Sequence, residues 1–153
     1  MKVVYHCYGG AHASPTAAAI HLGLLPRDRR PGMKELIRNP HFDRLTDPEH
    51  GKMIKAGVDP AGNEVYYLAR RDSPRLVINL IKEFTRLQGG NPDEYLFVNC
   101  MQILNPLMMA GGYSSRALGW IKLGRAVAAF GTYFSYTILA SVVKRTLQQI
   151  NGE

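Results

Sequence analysis

The sequence predicts an α/β domain: a mainly parallel central sheet in a three-layer arrangement, with helices on both faces and one added β-hairpin. Three observations carry this. Short apolar runs at 2–7, 64–69, 95–99 and 126–130 lack the strict alternation of half-exposed strands. Longer segments between them place apolar residues at three- and four-residue spacing, as amphipathic helices do. Strands that alternate with helices assemble as a parallel sheet, with the crossovers lying on its faces.

Lys2–Cys7 reads as a central strand buried on both sides. Ser14 is placed to cap a helix and Pro15 to open it, where its missing N–H costs nothing. That helix runs through Ala17, Ala18, Ile20 and Leu24 and ends before Pro26. Residues 26–51 are rich in proline and arginine, with a short helix expected near Met33–Arg38 and a turn at Phe42–Leu45. A connection this long reads either as a lid or as packed irregular chain.

Residues 52–58 and 64–69 read as a hairpin around the five-residue loop Asp59–Asn63. Asp72-Ser73-Pro74 opens a second helix, whose buried stripe is expected at Leu76, Val77, Leu80, Ile81, Phe84 and Leu87. Gly89-Gly90 ends it. Tyr95–Asn99 is the next strand. Helical turns at 107–110 and 114–118 are expected to be broken by Gly111-Gly112. Ala126–Phe130 reads as a last strand stopping at Gly131-Thr132. A final helix follows, with Ile138, Leu139, Val142, Val143, Leu147 and Ile150 on one face.

With 153 residues and 46% hydrophobic content, one domain spanning 1–153 can bury a full core. Two cysteines make no disulfide framework, and no leader pattern precedes the first strand, so the expected location is the cytoplasm. The formal charge of +7 favours anionic ligands. No nucleic-acid motif is present and aromatics do not interleave with the basic residues, so no specific nucleic-acid partner is expected. Residues 126–143 are uncharged and long enough to span a bilayer. Gly131-Thr132, Ser135, Tyr136, Thr137 and Ser141 interrupt the run, and no membrane span is expected. Oligomeric state is left open.

In open α/β sheets, ligands bind beyond the carboxyl ends of the strands. Cys7–Ser14, Arg70-Arg71-Asp72, Cys100 and Gly131-Thr132 are placed there. The first loop carries the strongest signal. Gly9 and Gly10 let backbone N–H groups converge on a ligand at the helix N-terminus, where the dipole favours negative charge. Ser14 and Thr16 add hydroxyls, and His12 is a candidate proton donor. The same field favours the thiolate of Cys7. Cys100 reads as a core residue.

Gly9–Thr16 has the length of a nucleotide-binding P-loop, but Ser14 and Pro15 replace its second glycine and its lysine. His6, Cys7, His12, His21 and His50 match no zinc spacing, so no metal or cofactor is expected. The segment Cys7-Tyr8-Gly9-Gly10-Ala11-His12-Ala13-Ser14-Pro15-Thr16-Ala17 resembles the phosphate loop C-x-G-x-x-x-R-S-P-x-A of low-molecular-weight protein tyrosine phosphatases. The resemblance implies Cys7 as nucleophile and Ser14 as its hydrogen-bond partner. Ala13 stands where that family has its phosphate-clamping arginine, and Gly131-Thr132-Tyr133 supplies no general acid. Arg116 is the preferred replacement guanidinium over Arg125, which lies at the wrong end of its expected strand.

Over nearly its full length the chain is similar to an uncharacterised bacterial family, a domain of unknown function. The resemblance is carried by Tyr5–His12, Ala17–Leu25, Gly62–Tyr66, Gly111-Gly112 and Ser115-Arg116, and implies no activity. Three functional expectations follow. The first is binding of a small molecule bearing phosphate or carboxylate at the Cys7–Thr16 loop, through Gly9, Gly10, Ser14, Thr16 and Arg116. The second is a cysteine-dependent phosphatase-like hydrolase or transferase using Cys7 and His12. The third is a non-catalytic regulatory protein, marked by an exposed apolar patch on Met101–Trp120.

Overall fold

The computed structural model describes residues 1–153 apart from Thr46, Ala117 and Glu153, with Asp47 and Arg116 described for their backbone alone. It is a mixed α/β structure built on a four-stranded sheet of order β2-β3-β1-β4. The strands are β1 (Lys2–Cys7), β2 (Met53–Val58), β3 (Glu64–Ala69) and β4 (Tyr95–Asn99). The helices are α1 (Ala13–His21), α2 (Met33–Arg38), α3 (Pro74–Leu87), α4 (Pro106–Arg116) and α5 (Ile121–Asn151).

β1 pairs parallel with β3, from Lys2 opposite Glu64 to Cys7 opposite Ala69, and parallel with β4 on its other side. β2 runs antiparallel to β3, so the sheet is mixed rather than mainly parallel. The hairpin supplies an edge strand of the same sheet and does not stand apart from it. β1 is central, and Val3 through Cys7 are buried, as its unbroken apolar run requires.

α1 lies on β1 and β3. Ala13, Ala17, Ala18 and Ala19 are fully buried, and their small side chains let its axis approach the sheet. A buried polar chain ties the helix to β1 and to the hairpin. The Tyr5 hydroxyl lies 2.8 Å from His21 Nδ1, and His21 Nε2 lies 3.0 Å from Asp59 Oδ2. Burial lowers the His21 pKa, against the raising influence of Asp59. A neutral imidazole with its proton on Nε2 satisfies both contacts: it donates to the carboxylate and accepts from the phenol. Burial pushes Asp59 upward, but bonds from the Asn63 side chain, His21 and the Asn63 backbone outweigh it and hold the carboxyl at about 2.

Three further expectations fail. Ala126–Phe130 is not a strand: α5 is continuous over 31 residues and contains Gly131-Thr132 near its middle. A mid-helix glycine costs about 1 kcal/mol. Here it is offset by close packing, since a Cβ at Gly131 would sit 2.7 Å from Met108 N. Polar residues in that run find partners along the helix or on the segment before α4. The Thr132 hydroxyl donates to the Ala128 carbonyl, and Ser135 accepts from the Asn105 amide. Gly111-Gly112 likewise do not break α4. A Cβ at Gly111 would lie 2.3 Å from Ala128 N, and one at Gly124 would lie 2.4 Å from Ser115 N. These glycines bring the backbones of α4 and α5 into contact.

The third failure is the expected buried stripe of α3. No residue of this helix is fully buried. Val77 and Ile81 are half-covered, while Leu76, Leu80, Phe84 and Leu87 face solvent. The helical period was read correctly, but only part of the apolar arc meets the protein.

Within 26–51, α2 forms where expected and the chain is packed rather than loose. Leu36 and Phe42 are fully buried, and Arg125 donates 3.0 Å bonds to the carbonyls of Ile37 and Phe42. That fixes the role of Arg125: it pins this connection to α5.

Candidate functional site

Because β1, β3 and β4 are parallel, their carboxyl ends share one edge. Backbone bonds knit the segments that leave it. Arg70 N–H donates to the Cys7 carbonyl, Arg71 N–H to that of Tyr8, and Cys100 N–H to that of His6. Three of the four segments expected at this edge are therefore there. Gly131-Thr132 is not, since it lies within α5.

The turn from β1 into α1 depends on Gly10. Its φ of +63° is a left-handed conformation, and a Cβ there would lie 2.8 Å from the Ala69 Cβ and 2.9 Å from the Leu45 side chain. With this turn in place, Gly10 N–H donates to Cys7 Sγ at 3.2 Å. The Ser14 hydroxyl lies 3.2 Å from the same sulfur. Ser14 therefore does not cap the helix. His12 stands at the N-cap position, with no side-chain cap bond, and Ser14 is the second residue of α1. Its hydroxyl is used on Cys7 instead, and the thiol is 1% exposed.

His12 Nε2 lies 3.1 Å from Asp43 Oδ1, and Asp43 Oδ2 accepts from the Ser115 hydroxyl at 2.8 Å. Asp43 N–H donates to the Ala11 carbonyl at 2.8 Å. Asp43 has φ 54°, a left-handed conformation that aspartate tolerates better than most residues. One carboxylate thus joins the first loop, the 26–51 connection and α4. The His12 ring packs at 5.2 Å from that of Phe42, and a Cβ at Gly112 would come within 3.1 Å of His12 Cε1. Asp43, Ser115 and Gly112 were not candidates from the sequence for a role beside His12. An aspartate next to a buried aromatic in an arginine-rich connection was the available signal, and it was weak.

The remaining candidates divide. Gly9 has no atom within 4 Å of a built Cβ, so nothing around it demands glycine. Thr16 is fully buried, and its hydroxyl has no hydrogen-bond partner. The Arg116 side chain lies outside the described residues. A guanidinium does stand beside the loop: Arg71 lies 5.4 Å from the Tyr8 ring centroid and 3.1 Å from His50 Nδ1. Arg70 bonds to His6 Nδ1 and to the Arg71 carbonyl. Burial, then the Arg70 charge, lowers His6 to about 4. Burial, then the neighbouring Cys7, pushes the Cys100 thiol well up. Cys100 is thus a protonated core residue, as its position implied.

Two clefts lie away from this loop. One of about 240 Å³ is lined by Arg27–Arg30 and by Tyr136, Thr137 and Ala140. The other, about 450 Å³, is flanked by Met53, Tyr95 and the α3 residues Leu80, Ile81, Phe84 and Thr85. The first includes the carboxylate of Asp28, and neither includes a cysteine or a histidine. The two cysteines, His6 and His12 are gathered at the strand edge instead, and that edge is the candidate site.

The family model described as protein of unknown function (DUF3189) matches residues 2–148, and the chain belongs to that family. No curated protein and no solved structure matches it.

Proposed function

We propose that this member of the family binds a small molecule bearing phosphate or carboxylate at the Cys7–Thr16 loop. The observation that carries the reading is the pair of contacts on Cys7 Sγ, from the Gly10 N–H and the Ser14 hydroxyl. They hold sulfur and backbone donors together at the N-terminus of a helix, where the dipole favours an anion. β1 is also the strand from which the parallel order departs to either side, the position where open α/β sheets take ligands. Arg71 supplies positive charge at the rim, in place of the arginine absent at Ala13. The reading extends to a Rossmann-like, three-layer arrangement in a reducing cytoplasm, supported by two unpaired, buried cysteines.

Calorimetry with inorganic phosphate and phosphorylated metabolites tests it. Binding heat, together with slower alkylation of Cys7 in phosphate, is the expected result. An absence of both sinks the reading.

A second reading, a cysteine-dependent hydrolase or transferase, is favoured by the Cys7–Ser14 contact, which matches the pairing in the phosphatase loop that the sequence resembles. Its test is turnover of an aryl phosphate by the wild type and by Cys7→Ser. Equal rates would end it. The non-catalytic reading draws on exposed apolar residues between Met101 and Trp120, among them Met109, Tyr113 and Trp120.

A further inference from the structure

We infer that the exposed side of α5 is a docking surface for an anionic lipid bilayer, on which the protein lies without crossing it. Trp120, Leu123, Phe130, Phe134 and Ile138 are all exposed. Half-buried Val127 completes their spacing of three and four residues along one side of the helix. At 1.5 Å per residue the stripe is about 27 Å long. Phe130 and Phe134 pack edge to face at 4.8 Å, so the rings form one continuous surface. Single exposed apolar residues need no explanation, but a contiguous aromatic stripe does.

Charge selects the occupant. Residues 101–152 hold not one Asp or Glu, and of their basic residues Lys122, Lys144 and Arg145 are exposed on α5 while Arg125 is turned to the 26–51 connection. Lys144 and Arg145 continue the exposed side of α5 beyond Ile138. Arg30 reaches the same helix from the 26–51 connection, with its Nε donating to the Thr137 hydroxyl at 3.1 Å. Asp28 lies beside Tyr136 and Thr137 and Glu35 is paired with Arg29, so a second copy would still set a predominantly basic face against an equally basic one, and like charges across an interface are costly. An amphipathic surface with aromatic and aliphatic residues on one side and lysine and arginine around it is what an anionic headgroup layer attracts. Trp120 at the end of the stripe is a residue type that prefers the membrane–water interface.

The other side of α5 explains why the helix lies on the bilayer. Gly124, Ala128, Gly131 and Ser135 pack against α4, and Tyr136, Leu139 and Val143 are sealed in the core at 1% exposure or less. The helix meets the length and hydropathy required to span a membrane. To do so it would have to abandon that core. This surface does not depend on the Cys7 loop, and its test stands apart from phosphate binding.

The whole chain contains one tryptophan, Trp120, so its emission reports on the stripe directly. Phosphatidylglycerol vesicles are titrated in, with phosphatidylcholine vesicles alongside. The expected result is a blue shift and co-sedimentation with phosphatidylglycerol that added salt reverses. Lys144→Gln with Arg145→Gln weakens that binding roughly thirtyfold. Phe134→Ser with Ile138→Ser, at exposed positions, abolishes it while leaving the circular-dichroism melt unchanged. No shift with either lipid overturns the inference, as does an equal, salt-insensitive shift with both. A dimer in sedimentation that Phe134→Ser dissociates would assign the stripe to a second copy. A shift caused by an acidic amphipathic peptide and not by lipid would assign it to a protein partner.

Discussion

The Ser14 hydroxyl lies 3.2 Å from the sulfur of Cys7, across a turn that also brings the Gly10 N–H to that sulfur. Neither donor is in regular sheet or helix hydrogen bonding, so both are available to a thiolate. A hydrogen bond to a charged group is worth about 1.5–3 kcal/mol. Ser14→Ala should therefore slow Cys7 alkylation at neutral pH by roughly tenfold or more, by removing one of the two hydrogen bonds to the sulfur. The rate is best followed against pH in a Cys100→Ala background. An unchanged profile would show that Ser14 is a packing contact only.

The two loop glycines make opposite demands. Gly10→Ala meets the left-handed φ and a backbone and side-chain wall within 3 Å. It should cost about 2–3 kcal/mol of stability and abolish phosphate binding. Gly9 has open space around it, and Gly9→Ala should leave stability within about 0.5 kcal/mol of wild type. Urea titration separates the two. Equal destabilisation would contradict the geometry of the turn.

Asp43 can be tested without disturbing its backbone, because asparagine also tolerates the left-handed region. Asp43→Asn weakens the bonds to His12 and Ser115 while retaining the turn. Stability should fall by about 1–3 kcal/mol, and proteolysis within 26–51 should accelerate. Gly112→Ala should act on the same group from the other side, by pressing on the His12 ring. Carrying both changes should give less than the sum of the two effects, since they converge on one imidazole. Strict additivity would mean that His12 does not link them.

Much of the fold was legible because local signals agreed with tertiary demands. β3 and β4 have the expected boundaries, and the short helix at Met33–Arg38 was placed correctly in a proline-rich stretch. Two of the errors, in α4 and α5, share one physical source. Glycine is read as a breaker because it weakens a helix, but Gly111, Gly124 and Gly131 are there for close helix–helix approach. Only the partner helix reveals that use. The same limit hid part of the site. Cys7, Gly10 and Ser14 are close in sequence and were found together, whereas Asp43 reaches His12 across 31 residues and Ser115 reaches Asp43 across 72. No local pattern marks such pairs. The mixed sheet was missed because a hairpin's strand spacing does not tell which edge it joins.

His6 provides a pH test of the sheet itself. Burial, with the Arg70 charge adding to it, lowers its pKa from 6.5 to about 4. The unfolded chain takes up this proton near its ordinary value, while the folded chain resists until about 4. The unfolded state binds more protons between these limits, so stability is complete above the unfolded value and falls as pH drops. His21 and His41 are lowered too, chiefly by burial, and act in the same direction. Asp59 and Glu35, both held at about 2, lose their contribution only at more acid pH. The histidines therefore govern the range between neutrality and the ordinary carboxylate values. His6→Gln keeps an acceptor for Arg70 and does not titrate. Between pH 7 and pH 5 the wild type should lose about 2 kcal/mol more than this variant. Parallel curves would show that His6 becomes protonated in the folded state as readily as in the unfolded one, and that the Arg70 contact gives way to let it.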